Sequence, residues 1–238
     1  MKLQFKNIHF VGTSHISKDS IQEVQESISE NKPKLIAIEL DKPRLYSLIS
    51  KKKRKLKISD IKKIGIKGYL FGVLGSWIEH KMGKITGATP GSEMKKAISI
   101  AKKEKIPIAL IDQDISITLK NISKRITWKE KFRFLKEILT AVFSKNSKNK
   151  IEIDISKVPP QKMIEKLTKK MKKAYPSIYK SLITDRDLYM ARNLYKISNL
   201  HKDEQIVAVL GAGHVKGIIK LLKKQKWPRK TTGKKQKK

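Results

Sequence analysis

Residues 206–214 read Ile-Val-Ala-Val-Leu-Gly-Ala-Gly-His, a β-branched apolar run that ends in a glycine turn and a histidine. The run predicts a buried strand over Ile206–Leu210, and the turn predicts a helix that begins near His214. The same order recurs near the N-terminus, where Ile8–Val11 precedes a second G-x-x-H turn at residues 12–15. Because glycine allows a sharp turn, each histidine is expected where a parallel strand ends.

Two further apolar runs, Leu35–Leu40 and Ile106–Ile111, predict strands that are separated from their neighbours by helical segments. Strand and helix in alternation indicate parallel pairing, because a crossover helix joins parallel strands. We therefore predict one α/β domain over residues 1–224, with a central, mostly parallel sheet flanked by helices. Residues from about 115 to 200 are predicted to form a helical insertion or cap, and residues 225–238 a basic disordered tail.

The composition limits the chemistry that the chain can perform. Its 238 residues are 39% hydrophobic, which is enough for a full core. It contains no cysteine, so disulfides, thiolate catalysis, iron-sulfur clusters and cysteine-type zinc sites are excluded. A metal would have to be held by histidine, carboxylates and water. The N-terminus does not resemble an export signal, so a cytoplasmic location is expected.

The net charge of +35 would attract nucleic acid or an anionic membrane face. The lysines, however, are spread along nearly every predicted helix, as a compositional bias across a whole proteome would also produce. No zinc finger, RNP-type strand or aromatic-interleaved basic patch accompanies them. Weak contact of the lysine-rich surface with nucleic acid or membrane is therefore the less favoured interpretation.

The apolar segment 64–78 is too short, and too interrupted by Lys67 and glycines, to span a bilayer. A core or interfacial helix is the favoured interpretation, with membrane-surface contact as the alternative. The segment could also serve the interface of a homodimer.

Four ionisable residues lie at or just after the ends of the four predicted strands: His15, Glu39 after Leu35–Ile38, Asp112 and His214. In a parallel sheet they lie on the same edge, where such folds bind ligands. Two histidines and one carboxylate are a common ligand set for a catalytic metal, and they suit Zn, Mn, Fe or Co. A buried glutamate at a strand end is as often a helix-cap acceptor or a salt-bridge partner.

Other polar residues near these strand ends have two interpretations each. Asp112 and Asp114 flank Gln113, and either aspartate could simply cap the next helix. Arg186 could pair with its neighbours Asp185 and Asp187, or could reach the site as a clamp for an oxyanion or a carboxylate.

Five motifs together resemble the TraB/PrgY family, in order and spacing. They are Val11-Gly-Thr-Ser-His-Ile-Ser17, Ile36-Ala-Ile-Glu-Leu-Asp41, Pro90-Gly-Ser-Glu-Met94, Leu110-Ile-Asp-Gln-Asp-Ile115 with Thr118-Leu119, and Gly211-Ala-Gly-His-Val215. The family is grouped with the Tiki proteases and, more distantly, with erythromycin-esterase-like and ChaN-like proteins, which share an α/β core with G-x-x-H turns.

The resemblance implies a metal-dependent peptidase in which His15, Glu39 and His214 bind a divalent cation such as Mn, Co or Zn. Asp112 or Glu93 would orient the ligands, and Arg186 would be the clamp. Supporting positions are Gly12, Gly211, Gly213 and Asp114. Family members that limit a peptide pheromone could degrade or sequester it, so a non-catalytic peptide-binding module is the alternative.

The chain departs from the family pattern at two places. Gln113 stands where the family usually has an arginine between two aspartates, which puts the role of that guanidinium in doubt. Many members continue into C-terminal membrane helices, whereas residues 224–238 here are rich in lysine. We therefore expect no transmembrane segment, with peripheral membrane contact as an alternative to a purely cytoplasmic location.

Overall fold

The computed structural model describes residues 2–14, 19–50, 56–86, 91–143 and 161–224. It confirms an α/β fold with a mostly parallel sheet flanked by helices. In chain order the elements are β1 (Lys2–Phe5), β2 (Ile8–Thr13), α1 (Asp19–Asn31), β3 (Leu35–Ile38), α2 (Lys42–Ile49), a 3-10 turn (Ile58–Asp60), α3 (Ile61–Thr86), α4 (Ser92–Glu104), β4 (Ile108–Leu110), α5 (Ile115–Arg125), α6 (Trp128–Phe143), α7 (Gln161–Ala174), α8 (Pro176–Tyr179), a π-helical turn (Lys180–Thr184), α9 (Asp185–Leu200), β5 (Ile206–Gly211) and α10 (Ala212–Lys224).

The five strands lie in the order β1-β2-β5-β3-β4, so the strand at residues 206–211 is central. Strands β2, β5, β3 and β4 are parallel, which confirms the four predicted strands and their common direction. Strand β1, which pairs antiparallel with β2, was not predicted. It has only four residues, most of them exposed, and its hairpin has no glycine to mark the turn.

Alternate residues of β5 pack into two separate cores. Ile206, Ala208 and Leu210 face α9 and α10, whereas Val207 and Val209 face α1 and α4. A continuous apolar run is therefore what a central parallel strand requires, because both of its faces are covered.

The described part of the region 115–200, predicted as an insertion or cap, contains α5 to α9. Within it, α9 lies directly on the sheet, since Met190, Ala191 and Leu194 are fully buried in the core that also contains residues of β5. Helix α5 instead packs on α3. The predicted tail at 225–238 lies outside the described residues. Within the described part of the chain, no helix has both the length and the apolar character needed to cross a bilayer.

Helix α3 packs closely on α5 through glycines. A Cβ atom built on Gly68 would lie 2.5 Å from the carbonyl oxygen of Leu119, and one built on Gly72 would lie 2.6 Å from Leu56. Gly65 has a φ of 76°, a conformation that glycine adopts without strain. The segment 64–78 therefore forms a helix that is packed on one side, as a core or interfacial helix would be.

We expect Gly68→Ala to lower the free energy of unfolding by about 1–3 kcal/mol, because the added methyl group would overlap a backbone atom that cannot move freely. Gly75 is the matched control on the same helix, since a Cβ atom there meets nothing within 4 Å. Gly75→Ala should leave stability unchanged or raise it by about 0.5–1 kcal/mol. Urea unfolding measures both variants, and equal effects would contradict this packing.

Candidate functional site

The carboxyl ends of the parallel strands bring a group of buried polar residues together. Glu39 directly follows β3, Asp112 lies two residues after β4, and His214 is in the first turn of α10 after β5. All three are at most 5% exposed. Strands β2, β5 and β3 are parallel neighbours in the sheet. The residues that follow them therefore lie together beyond the carboxyl ends of these strands.

Glu39 is held by the end of β5. Its backbone N–H still donates to the carbonyl of Val209, at 3.1 Å, so the residue continues the ladder of the sheet. Its Oε2 atom accepts a hydrogen bond from the backbone N–H of Gly211 at 2.6 Å. Because Gly211 immediately precedes α10, this carboxylate lies at the positive end of a helix dipole, a position suited to an anionic group.

Arg186, in the first turn of α9, binds two of these carboxylates. Its Nη2 atom donates to Oε1 of Glu39 and, at 2.7 Å, to Oδ2 of Asp112. Its Nε atom also reaches Asp112, at 3.1 Å. Burial alone would lower the pKa of the guanidinium, but Glu39 and Asp112 outweigh it and raise the pKa above its ordinary value. Arg186 is therefore a fixed positive charge between two carboxylates.

A second arginine reaches the same aspartate. Nη2 of Arg44 donates to Oδ2 of Asp112 at 2.6 Å. Arg44 is held in place by Asp41, which caps α2 by accepting from the backbone N–H of Arg44 at 2.7 Å and also accepts from the N–H of Ile115 at 2.8 Å. The Arg44 side chain is 29% exposed, so it connects the buried cluster to the solvent.

His214 is oriented by Asp187. Its Nδ1 atom lies 2.6 Å from Oδ1 of Asp187, and its Nε2 atom lies 3.4 Å from Oε1 of Glu39. If the imidazole proton is on Nδ1, it can be donated to Oδ1 of Asp187. The lone pair of Nε2 is then directed toward the carboxylate of Glu39. Burial raises the pKa of Asp187, although the contact with His214 acts in the opposite direction.

Gly217 makes room for this pair. A Cβ atom built on it would lie 2.1 Å from Oδ2 of Asp187, so only glycine allows the carboxylate to approach α10 this closely. A π-helical turn at Lys180–Thr184 precedes α9, and the N–H of Asp185 bonds to the carbonyl of Lys180 across it. Turns of this type change the direction in which the following side chains point, and they are frequent at functional sites.

Several predicted residues have clear structural positions. Asp114 caps α5 by accepting from the N–H of Ser116 at 2.7 Å, whereas Asp112 pairs with the two arginines. The side chain of Gln113 is buried and donates to Thr118 at 2.9 Å, so it ties the turn to α5.

The remaining predicted residues belong to β2, α10 and α4 or lie outside the described part of the chain. Gly12 pairs with Leu210 in the β2–β5 ladder, Gly213 lies in the first turn of α10, and Glu93 is buried in the first turn of α4. His15 lies outside the described residues, which stop at Ser14 and resume at Asp19. The strand that leads to it ends with Thr13 opposite Gly211.

Glu39 and His214 are the two predicted metal ligands that the structure describes. Among the described residues, no three histidine, aspartate or glutamate side chains are placed to hold one metal ion together. The third predicted ligand is His15, so the complete set extends beyond the described part of the chain.

Sequence reasoning missed Asp187, Arg44 and Gly217. Asp187 was considered only as a local partner of Arg186, but the salt bridge of Arg186 crosses to the sheet and Asp185 pairs with Arg125 instead. The signal for Asp187 was its place next to Arg186, since adjacent residues at a helix start can both face the sheet edge. For Arg44 and Gly217 no local signal existed.

The profile of the TraB/PrgY/gumN family matches residues 2–229 of the chain. The chain belongs to this family. It is 41% identical to an uncharacterized protein of Methanocaldococcus jannaschii, over 92% of this chain and 54% of that protein. It is 24% identical to the TraB domain-containing proteins of Homo sapiens and of Mus musculus, over 90% of this chain and 62% of each relative. This TraB-family chain therefore spans between half and two thirds of the length of these relatives.

We expect Gly217→Ala to disturb the orientation of His214, because the added methyl group would displace the Asp187 carboxylate. The imidazole ¹⁵N shifts of His214 should move from the Nδ1-protonated tautomer toward a tautomer mixture. Gly213→Ala is the matched control in the same helix, since a Cβ atom there meets nothing within 4 Å. Unchanged His214 shifts in a folded Gly217→Ala variant would contradict the role assigned to this contact.

Proposed function

We propose that this edge of the sheet is a hydrolytic site, that it acts on peptides, and that His214 and Glu39, with His15, bind a divalent cation there. The observation that carries the proposal is the Asp187–His214 contact, which fixes the imidazole and directs Nε2 toward Glu39. A carboxylate on one ring nitrogen is the usual way in which proteins orient a histidine that uses its other nitrogen for metal binding or proton transfer.

The donor chemistry of these residues fits a cation such as Mn, Co or Zn. An imidazole nitrogen and a carboxylate oxygen face each other, and both are typical ligands of such ions. Four carboxylates, those of Glu39, Asp41, Asp112 and Asp187, lie in contact with two guanidinium groups and His214. The excess negative charge would favour a cation, which when bound would polarise a carbonyl group and activate water for attack.

The protein groups have separate tasks in this proposal. Asp187 holds the proton on Nδ1 of His214, so that Nε2 remains a donor of its lone pair. Arg186 and the N–H of Gly211 fix the two oxygens of Glu39. The Arg186 guanidinium binds two carboxylates of the protein itself, Glu39 and Asp112. Arg186 therefore positions these two side chains in the proposed site. Arg44 also pairs with two protein carboxylates, Asp41 and Asp112, but its greater exposure makes it the better placed of the two arginines to reach a carboxylate of the substrate.

One observation supports a second function, in which the site binds a peptide without cleaving it. Each carboxylate oxygen of Glu39 already accepts a hydrogen bond from within the protein, one from Arg186 and one from Gly211. A carboxylate that is satisfied in this way stabilises a binding site without taking part in chemistry. The peptide class itself rests on the family resemblance in both cases.

His214→Gln separates the hydrolytic proposal from its alternatives. The parent protein should gain thermal stability with Mn, Co or Zn and should cleave members of a peptide library. His214→Gln should lose cation affinity by about 10–100-fold, and cleavage by at least about 100-fold. His201 is the matched control, since its Nδ1 also contacts a carboxylate, that of Glu204 at 2.5 Å, but it lies before β5 at the opposite edge of the sheet.

His201→Gln should retain the cation affinity and the cleavage rate of the parent. A parent protein that binds peptides without cleavage, with equal affinity in both variants and no response to cations, would overturn the hydrolytic proposal. Peptide binding that is lost only in His214→Gln, again without cleavage, would establish the sequestering function.

A further inference from the structure

Helix α3 carries an exposed apolar stripe on the side that does not pack. Ile66, Leu70 and Val73 recur at helical spacing and are 64%, 62% and 44% exposed. Gly65, Gly68 and Gly72 of the same helix face α5, so the stripe is directed away from the domain core. Lys67, between the first two apolar residues, is also exposed.

Helix α6 carries an exposed aromatic pair. Trp128 and Phe132 are 72% and 66% exposed, and their ring centroids are 6.2 Å apart. The Nζ atom of Lys131 lies 3.6 Å from the centre of the Trp128 ring, in a cation–π contact. Large aromatic side chains are unusual on a solvated surface, and an apolar group flanked by cations is typical of a binding face.

The apolar stripe of α3 and the aromatic pair of α6 are connected by an interaction between two lysines. The side chain of Lys131 interacts with that of Lys67 on α3, and burial together with this like charge lowers the pKa of Lys131. We call the surface formed by Ile66, Leu70, Val73, Trp128, Phe132, Lys67 and Lys131 the α3/α6 face.

The described acidic side chains of α6 are used elsewhere. Glu130 is buried and accepts from the N–H of Ser177 at 2.7 Å, and Glu137 accepts from the hydroxyl of Tyr175 at 2.5 Å. Both contacts are with the segment around α8. Glu130 therefore faces the protein, and the exposed Glu137 is engaged by Tyr175, while Trp128, Lys129 and Phe132 are exposed in the first two turns of the helix.

We propose that the α3/α6 face docks on an anionic phospholipid bilayer. Phosphate groups would neutralise the two adjacent ammonium groups, while the apolar and aromatic side chains would enter the interface between head groups and acyl chains. A second copy of this chain is a poor occupant, because it would bring a like-charged surface against Lys67 and Lys131 in a protein of net charge +35. This inference is independent of the proposed hydrolytic site.

A vesicle-binding experiment tests the proposal, and the fluorescence of Trp128 distinguishes insertion of this side chain into the bilayer from adsorption of the protein to the bilayer surface. The full chain with Trp77→Phe and Trp227→Phe keeps Trp128 as its single tryptophan. Its fluorescence should be quenched by brominated acyl chains in phosphatidylcholine vesicles that contain phosphatidylglycerol, and not in vesicles of phosphatidylcholine alone. Quenching requires the ring to reach the acyl region, which binding by charge alone does not produce.

Paired substitutions locate the binding surface. Leu70→Ser with Phe132→Ser should weaken vesicle binding by at least about tenfold, because both side chains lose their burial in the interface. Leu200→Ser is the apolar control, since Leu200 is 81% exposed at the end of α9. Lys67→Gln with Lys131→Gln should also weaken binding, more than Lys34→Gln with Lys105→Gln, which removes the same charge near the amino ends of β3 and β4.

The proposal would be overturned if the protein bound vesicles without quenching of Trp128, if salt abolished that binding, and if both pairs of lysine substitutions weakened it equally. That result would indicate adsorption to any polyanion, nucleic acid included. Absence of binding to anionic vesicles would overturn it as well. Circular dichroism melts confirm that each variant is folded before binding is measured.

Discussion

The salt bridges of Arg186 connect the helical part of the chain to the sheet. The guanidinium comes from α9, while its partners Glu39 and Asp112 follow two different strands. All three side chains are largely buried, so each charge depends on the others for its compensation. Removing one partner of a buried ion pair typically costs about 3–5 kcal/mol, because the remaining charge is left without compensation. Met190, Ala191 and Leu194 pack α9 on the sheet, and the Arg186 contacts fix its first turn against the ends of two strands.

The site follows from that position. Since Arg186 is fixed against Glu39, the next residue, Asp187, meets α10, where Gly217 leaves space for its carboxylate and His214 offers Nδ1. The same arrangement leaves Nε2 of His214 facing Glu39. One arginine thus orders two neighbouring carboxylates directly and one imidazole indirectly. An arrangement of buried charges that orients one histidine is more than a stable fold needs, which is why we assign it a chemical role.

Much of this architecture could be predicted from local patterns, and the remainder could not. The four parallel strands were predictable because a strand covered on both faces is apolar throughout, as in residues 206–210. The edge strand at residues 2–5 was not, since its residues are exposed and its turn lacks a glycine. Glu39 and His214 were predicted to lie at one edge because each follows a parallel strand. Arg44, Asp187 and Gly217 depend on where α2 and α9 pack, which is decided by contacts far apart in the sequence. The π-helical turn before α9 has no sequence pattern of its own.

The most direct test of the central claim is an anomalous diffraction map from crystals soaked with Mn²⁺, Co²⁺ or Zn²⁺. We expect one peak bonded to Nε2 of His214, with Glu39 beside it and Asp187 still on Nδ1. Occupancy should fall when His214 is replaced by glutamine. A map with no peak near His214, or with the imidazole turned away from Asp187, would contradict the claim that this contact prepares His214 for chemistry.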